Sequence, residues 1–292
     1  MQRFDFLGVT GTGKSTIYYL LSQTRRTPNE FLLFDEAYDL ALKAQFPLPW
    51  RLANHIQQAL GTNRPFQPFA RPLDRLINRE LTKAKSSFER EKLFEQITIT
   101  WLTYRDMLFL RLNGTGKSSL STQEALPSDY LHTLLKTALR MKQFYLLTQS
   151  LPKKTNVVYN RSFSQKVFSV VDFSKKVDPD TICRYIKGMP APAGVIICNA
   201  SPQVIVSRLR ERAKEGRVAS VQRAIINTDL LEEWVKISCE VIQFAKSCLL
   251  EQGSYILDLN TEKEPHILAD QVREFMLGYH HLDGKMEQSV TN

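Results

Sequence analysis

The first 24 residues contain the feature that most constrains the fold: an apolar run, a glycine-rich run and a second apolar run in direct succession. Residues 4–7 read Phe-Asp-Phe-Leu and predict a short buried strand, while residues 17–21 predict a helix. Between them, Gly8, Gly11 and Gly13 permit backbone angles and close approaches that a side chain would forbid. A strand that turns through such a loop into a helix is typical of α/β proteins.

The glycine-rich run fits the pattern G-x-x-x-x-G-K-[ST] at every specified position, from Gly8 to Ser15. In this pattern, backbone N–H groups and the N-terminus of the following helix present partial positive charge to phosphates. Lys14 can reach the terminal phosphates, and the Ser15 hydroxyl can ligate Mg²⁺. The sequence therefore predicts a nucleoside triphosphate site with ATP and magnesium as cofactors, contacted by Gly8, Thr10, Gly11, Thr12, Gly13, Lys14, Ser15 and Thr16.

The rest of the chain predicts four more strands, separated by helices. The strands lie at 31–34, Asn156–Tyr159, 194–198 and 255–259; helices lie at about 73–112, 130–147, from Ser201-Pro202 onward, at Leu230–Glu251 and at 267–277. This alternation indicates a three-layer α/β sandwich, with a central parallel sheet of about five strands and helices on both faces. No linker rich in Pro, Gly or Ser divides the chain, so we predict one domain over 1–279 and a polar, disordered tail over 280–292.

Composition narrows the class of protein. Hydrophobic residues make up 43% of the chain, enough for a buried core, yet no apolar run reaches the roughly 18 residues of a membrane helix. With no basic-then-apolar leader before the first strand, we expect a cytoplasmic protein with no membrane partner. Cys183, Cys198, Cys239 and Cys248 lack CxxC spacing, which favours reduced thiols in the core.

The formal net charge of +9 suits an anionic partner. A nucleotide satisfies this condition, and so does nucleic acid, while a solvated basic surface explains the same charge. The sequence leaves these alternatives open, together with the formation of a homodimer.

Polar and charged segments after the predicted strands distinguish among the classes of protein that share this loop, namely ATPases, GTPases and kinases. Asp35 and Glu36 follow the second strand, and an Asn-Arg-Ser segment, 160–162, follows the third. After the fourth strand, a helix carries Arg208 and Arg212, which are four residues apart and so share one face. Together with the loop, and in this order, the segments resemble the deoxynucleoside kinase and thymidylate kinase group of P-loop kinases.

This resemblance implies the P-loop NTPase fold and phosphoryl transfer from ATP to a nucleoside or nucleoside monophosphate. It implies that Glu36, or else Asp35, accepts the proton of the acceptor hydroxyl, because an alcohol attacks phosphorus better as its proton is drawn away. The arginines that would offset charge on the transferred group are Arg161, Arg208 and Arg212, the last two in a lid at about 208–220.

The chain departs from the family at Asn160, where the family has an acid. An amide keeps the hydrogen bonding but lacks the charge that holds a metal or draws off a proton. One alternative is therefore a nucleotide-binding regulatory protein with weak or no transfer activity. Another is a kinase for a different acceptor, such as a polynucleotide end or a small metabolite.

The resemblance also implies two base-binding regions. The loop after the last strand would contact adenine through Asn260, Glu262 and Lys263. The acceptor would lie in a helical region at about 37–154, where Gln96 and Arg105 resemble residues that read its base. A near-copy of the glycine-rich loop at 114–119 lacks the strand before it and the helix after it, which favours a polar loop between helices.

Overall fold

The structure is a computed structural model of the chain and describes residues 1–27, 30–45, 143–160, 162–171, 173, 176–216 and 225–289. In these ranges the strands are β1 (Gln2–Leu7), β2 (Leu32–Leu33), β3 (Asn156–Tyr159), β4 (Gly194–Asn199) and β5 (Tyr255–Asn260). The helices are α1 (Lys14–Thr24), α2 (Phe34–Gln45), α3 (143–150), α4 (Val167–Val170), α5 (Pro179–Gly188), α6 (Pro202–Lys214), α7 (Leu230–Glu251) and α8 (Pro265–Ser289). A 3₁₀ turn, Ser164–Lys166, precedes α4.

The described strands form one parallel sheet in the order β2-β3-β1-β4-β5. The predicted parallel α/β sheet of about five strands is confirmed. β1 lies at the centre, with Gln2 opposite Asn156 of β3 and Phe4 opposite Gly194 of β4. The next strands along the chain, β2 and β3, lie on one side of β1, and the last two, β4 and β5, lie on its other side. In open parallel sheets, ligands bind outside the carboxyl ends of the strands at such a switch point.

The alternation of side chains along β1 divides the core into two layers. Phe4 and Phe6 belong to a cluster with residues of α1 and α8, such as Leu21 and Val272. Leu7 lies in the cluster on the opposite face, with residues of α2, α5, α6 and α7. Because both faces are covered, the polar residues Arg3 and Asp5 of β1 are buried along with Phe4, Phe6 and Leu7. The helices on both faces fix the position of its carboxyl end.

One ion pair interrupts the apolar interior of β1. Arg3 and Asp5 are 2% and 0% exposed, and Arg3 Nε lies 3.2 Å from Asp5 Oδ1. The guanidinium lies 5.1 Å from the ring centroids of both Phe144 and Phe163. Ser164 Oγ donates to Asp5 Oδ2 at 2.6 Å. This cluster fastens the segment that follows β3 to the central strand.

Two element boundaries differ from the predictions. β2 contains only two residues and α2 begins at Phe34, so Asp35 and Glu36 lie in the first turn of a helix rather than at the end of a strand. Carboxylates stabilise that position because a helix N-terminus carries partial positive charge. α8 continues to Ser289, so residues 280–289, predicted to be a disordered tail, are helical. Its final turns contain Lys, Met, Glu and Gln, which all favour helix.

The prediction of four reduced cysteines is wrong for two of them. Cys183 of α5 and Cys248 of α7 form a disulfide, with their Cα atoms 5.4 Å apart, whereas Cys198 and Cys239 are free. The bonded pair is separated by 65 residues, and spacing in the sequence does not reveal which helices pack side by side. In the described ranges, no helix combines the length and hydropathy needed to span a membrane.

Candidate phosphate site

The phosphate loop, residues 8–15, joins the carboxyl end of β1 to the first turn of α1. It is organised by contacts among its own residues. The Thr12 N–H and the Thr12 hydroxyl both donate to Val9 O, at 3.2 and 2.8 Å, which closes a turn around Thr10 and Gly11. Gly13 accepts hydrogen bonds from the amides of Thr16 and Ile17 and so begins the helix. The amides at the start of α1 therefore face the mouth of the loop.

Glycine is required at two positions of the loop for different reasons. A Cβ on Gly8 would lie 2.7 Å from Cys198 O and 2.9 Å from Thr12 Oγ1, closer than atoms of this kind approach. Gly11 has φ 99°, in the left-handed region, and its Cα faces Leu209 of α6. A side chain at either position would force the loop away from β4 or from α6.

The Lys14 ammonium folds back over the loop and donates to Gly8 O at 2.6 Å and to Val9 O at 2.8 Å. The pKa of Lys14 is lowered to about 8, chiefly by burial of the ammonium, with a smaller contribution from the positive charge of Arg212 and an opposing one from Cys198. Among the residues that the structure describes, no carboxylate pairs with this ammonium. A phosphate would supply an anionic partner and favour the charged form of the lysine.

Ser15 lies where the carboxyl end of β3 meets α1. Asn160 Nδ2 approaches Ser15 Oγ at 3.3 Å. Asn160 stands where the kinases that the sequence resembles have an acid, and the structure brings this amide next to the predicted metal ligand. The described residues contain no group of three or more His, Cys, Asp or Glu side chains suited to a metal ion.

The two predicted acids have different surroundings. Both carboxylate oxygens of Glu36 accept hydrogen bonds from the Arg25 guanidinium, and Glu36 Oε2 also accepts from Leu33 N at 2.8 Å. Arg25 in turn lies over the Phe31 ring, 4.8 Å from its centroid. Asp35, by contrast, is exposed. Glu36 fastens the end of β2 to α1 in this conformation, and Asp35 projects from the same helical turn.

A cavity of about 410 Å³ opens beside the phosphate loop. The predicted residues that line it are Gly11, Gly13, Thr16, Arg208 and Arg212. Its remaining walls come from Ile17, Glu211, Glu215, Thr261, Pro265 and Leu268. The structure thus brings together the loop, the arginine-bearing face of α6 and the start of α8, three segments far apart in the sequence.

Arg208 connects two walls of this cavity. Its Nη2 donates to Thr261 O at 2.9 Å, and its Nη1 lies 3.5 Å from Thr261 Oγ1. Thr261 is itself anchored to β4, since its amide and its hydroxyl both donate to Asn199 O. We refer to α6 and the loop between β5 and α8 together as the arginine wall. The Arg208 side chain, which was predicted to contact phosphate, thus joins the two parts of this wall.

Two of the residues predicted to contact adenine, Asn260 and Glu262, accept hydrogen bonds from backbone amides in this structure. Asn260 Oδ1 accepts from the amide of Glu262, and Glu262 Oε1 accepts from the amide of Ser201. The hydrogen bond from the Ser201 amide is the main cause that lowers the pKa of Glu262. Both side chains shape the loop and cap the start of α6, and Lys263 is exposed beside them. The cavity is lined in this region by Thr261, which sequence analysis did not single out.

A second residue missed by sequence analysis is Gln165. It contacts Gly8 through both ends of its side-chain amide. It belongs to no motif, and the only signal available was its place five residues after the Asn160 position. Several predicted positions, namely Arg161, Gln96, Arg105 and the segment 114–119, lie outside the residues that the structure describes, as do residues 217–220 of the predicted lid.

Comparison with known proteins adds no assignment. The chain matches no protein-family model, and a search of curated proteins gave no significant match. The case for a function therefore depends on the residues of this chain and on their geometry.

Proposed function

We propose that this chain is a P-loop phosphotransferase that transfers a phosphoryl group from ATP to a nucleoside or nucleoside monophosphate. The observation that carries the proposal is the phosphate loop, with the Lys14 ammonium folded over it, opening into a cavity that Arg208 and Arg212 also line. The loop lies at the carboxyl end of the central strand, which is the switch point of the strand order.

The chemistry follows from where the positive charge lies. Phosphoryl transfer needs positioning and charge stabilisation more than covalent participation by the protein. Loop amides, the N-terminus of α1 and Lys14 are suited to the β- and γ-phosphates. Arg212 faces the same space from α6. Arg208 would have to release Thr261 to reach the transferred group, so closure of the arginine wall around a nucleotide is part of this proposal.

The Ser15 hydroxyl fits magnesium, a cation that takes oxygen ligands and relies on substrate phosphates for part of its coordination. When bound, magnesium neutralises charge on the phosphate chain. The protein's part would be to orient the Ser15 oxygen, and the Asn160 amide at 3.3 Å restrains that hydroxyl.

We further propose that Asp35, rather than Glu36, receives the proton of the acceptor hydroxyl. A general base needs an available lone pair within reach of the proton it removes. Both Glu36 oxygens are engaged by Arg25, and one also by Leu33. Asp35 is exposed on the same turn of α2, which reverses the order of preference that the sequence suggested.

The test is an acceptor panel with labelled ATP and magnesium, in which nucleosides, nucleoside monophosphates and oligonucleotide ends are offered separately. We expect label on a nucleoside or nucleoside monophosphate. Transfer confined to oligonucleotide ends would replace the proposed acceptor, while ATP binding without any labelled product would reject transfer. A Lys14→Met variant serves as the control for contaminating kinases.

A second candidate is a nucleotide-binding regulatory protein. The observation that favours it is the neutral Asn160 next to Ser15, together with the engagement of Glu36 by Arg25. Both features reduce the negative charge available for metal binding and proton removal. Tight ATP binding with an inert acceptor panel, combined with a nucleotide-dependent change in conformation or association, would support this candidate.

A further inference from the structure

Gln165 holds the first glycine of the phosphate loop by both of its backbone polar groups. The Gly8 N–H donates to Gln165 Oε1 at 3.2 Å, and Gln165 Nε2 donates to Gly8 O at 3.0 Å. A backbone amide can only donate and a backbone carbonyl can only accept, so Gly8 determines which end of the side-chain amide faces which group. Gly8 follows the last residue of β1, and Gln165 thus supplies the partner that a neighbouring strand would otherwise provide.

The backbone around Gln165 is fixed independently of the loop. The residue lies in the 3₁₀ turn Ser164–Lys166. The residue before it, the fully buried Ser164, donates to Asp5 of β1. One position earlier, Phe163 O accepts from the Tyr185 hydroxyl at 2.7 Å and from the Lys166 amide at 2.9 Å. Gln165 therefore extends toward Gly8 from a rigid support rather than from a free loop.

Gly8 O has two donors, and only one of them would stay in place when a triphosphate binds. Lys14 Nζ lies 2.6 Å from this oxygen and Gln165 Nε2 lies 3.0 Å from it. For Lys14 to contact phosphate, its ammonium must leave Gly8 O and Val9 O. Gly8 is buried, and leaving a buried carbonyl without a donor costs free energy. Gln165 avoids this cost at Gly8, because it still donates to Gly8 O after Lys14 has left.

We propose that Gln165 is a positioning residue for triphosphate binding, one that keeps the Gly8 carbonyl hydrogen-bonded while the Lys14 ammonium moves to the phosphates. This inference rests on the proposed function to the extent that the phosphate loop must bind a nucleotide. It does not depend on the acceptor or on catalysis. It also assigns a role to the segment after β3 that no motif predicts.

The experiment compares Gln165→Met with wild type by isothermal titration of ATP, tripolyphosphate and adenosine to the full chain. Methionine keeps the length of the side chain and removes both hydrogen bonds. We expect about tenfold weaker binding of ATP and of tripolyphosphate, with unchanged binding of adenosine. The matched control is Gln252→Met, which removes a comparable bond, Gln252 Nε2 to Ile186 O at 2.9 Å, that does not involve the loop. We expect this control to bind all three ligands as wild type does.

Other outcomes separate the inference from the function beneath it. If wild type binds neither ATP nor tripolyphosphate, the proposed function fails. If wild type binds them and Gln165→Met binds equally well, Gln165 has no positioning role. An equal loss for adenosine, or a lowered melting temperature in Gln165→Met but not in Gln252→Met, indicates a general structural defect and overturns the proposal. So does wild-type affinity in Gln165→Glu, which keeps an acceptor for the Gly8 N–H but has no donor for Gly8 O.

Discussion

The phosphate loop and the arginine wall face each other across the same cavity, but they are held in place in different ways. In the loop, Thr12 and Lys14 bond to Val9, and Lys14 also bonds to Gly8, so the contacts lie within a few residues, apart from the two bonds between Gln165 and Gly8. In the arginine wall, Arg208 bonds to Thr261 and the Ser201 amide bonds to Glu262. Those partners are 53 and 61 positions apart.

This difference indicates which wall can change shape when a ligand binds. Local backbone contacts survive as long as β1 and α1 remain folded. The arginine wall is held together by a few polar contacts near the surface, and the contact of Arg208 with Thr261 would have to break if Arg208 contacted a phosphate. We therefore regard the loop as the pre-formed half of the site and the arginine wall as the half that adjusts.

The largest expected effect would come from the acidic turn, which belongs to neither wall. Asp35→Asn should lower product formation by about 100- to 10,000-fold if Asp35 is the general base. Glu36→Gln should change turnover much less, because Glu36 serves to fasten β2 to α1. Steady-state assays with the acceptor found in the panel compare the two variants. A reversed ranking would return the role of base to Glu36 and imply that Arg25 releases it during the reaction.

A second experiment compares the two walls directly. Lys14→Met should weaken ATP binding by about 100-fold, since it removes a charge-assisted contact from the pre-formed half. Arg208→Met should weaken binding by about tenfold, because part of what Arg208 would gain from phosphate is offset by the loss of Thr261. Titration calorimetry at one salt concentration measures both. Equal losses would mean that the arginine wall is as pre-formed as the loop.

The pH dependence of ATP binding tests whether protonated Lys14 contacts the bound phosphates. In the free protein Lys14 has a pKa lowered to about 8, chiefly by burial, whereas bound phosphates favour its protonated form. Affinity should therefore be flat with respect to this group below pH 8 and fall by up to about tenfold per pH unit above it. Lys14→Arg should abolish that inflection because arginine stays protonated. An identical profile in the variant would assign the titration to another group.

The same pKa shift has a consequence for folding, with the opposite sign. Lys14 binds its proton less tightly in the folded chain than the ordinary value of 10.5 in the unfolded chain. Between about pH 8 and 10.5, the unfolded state therefore holds more protons at this site. The unfavourable contribution of Lys14 to stability accordingly diminishes as the pH rises through that window.

The smallest expected effect concerns the contact that engages Glu36. Arg25→Met should lower the free energy of unfolding by about 1 kcal/mol, because the Glu36 side chain is 41% exposed and solvent weakens the pair. Arg26→Met is a matched control, since Arg26 is 77% exposed and lies 4.0 Å from Glu274. Urea denaturation should detect the first change and not the second. Equal stabilities for the two variants would mean that the Arg25–Glu36 pair contributes nothing measurable.

What could be read from the sequence follows the same division between local and distant contacts. The loop, the bounds of β3 and those of α7 were predictable because glycine pattern and apolar periodicity are local signals. Thr261 and Gln165 were not, since neither has a distinctive neighbourhood and each matters through a partner far along the chain. The Cys183–Cys248 pair, separated by 65 residues, was missed for the same reason. The engagement of Glu36 by Arg25, 11 positions away, was missed because no motif marks that pair.

The placement of β1 at the centre of the sheet also bears on how the chain folds. Its neighbours begin only at Asn156 and Gly194, so during synthesis β1 has no sheet partner until the intervening residues have been made. At about 5–20 residues per second, the wait is on the order of ten seconds or more. Pairings this distant also slow folding itself, because a long loop must close before they form. Mutations that expose residues 4–7 should therefore reduce the yield of soluble protein before they alter the finished site.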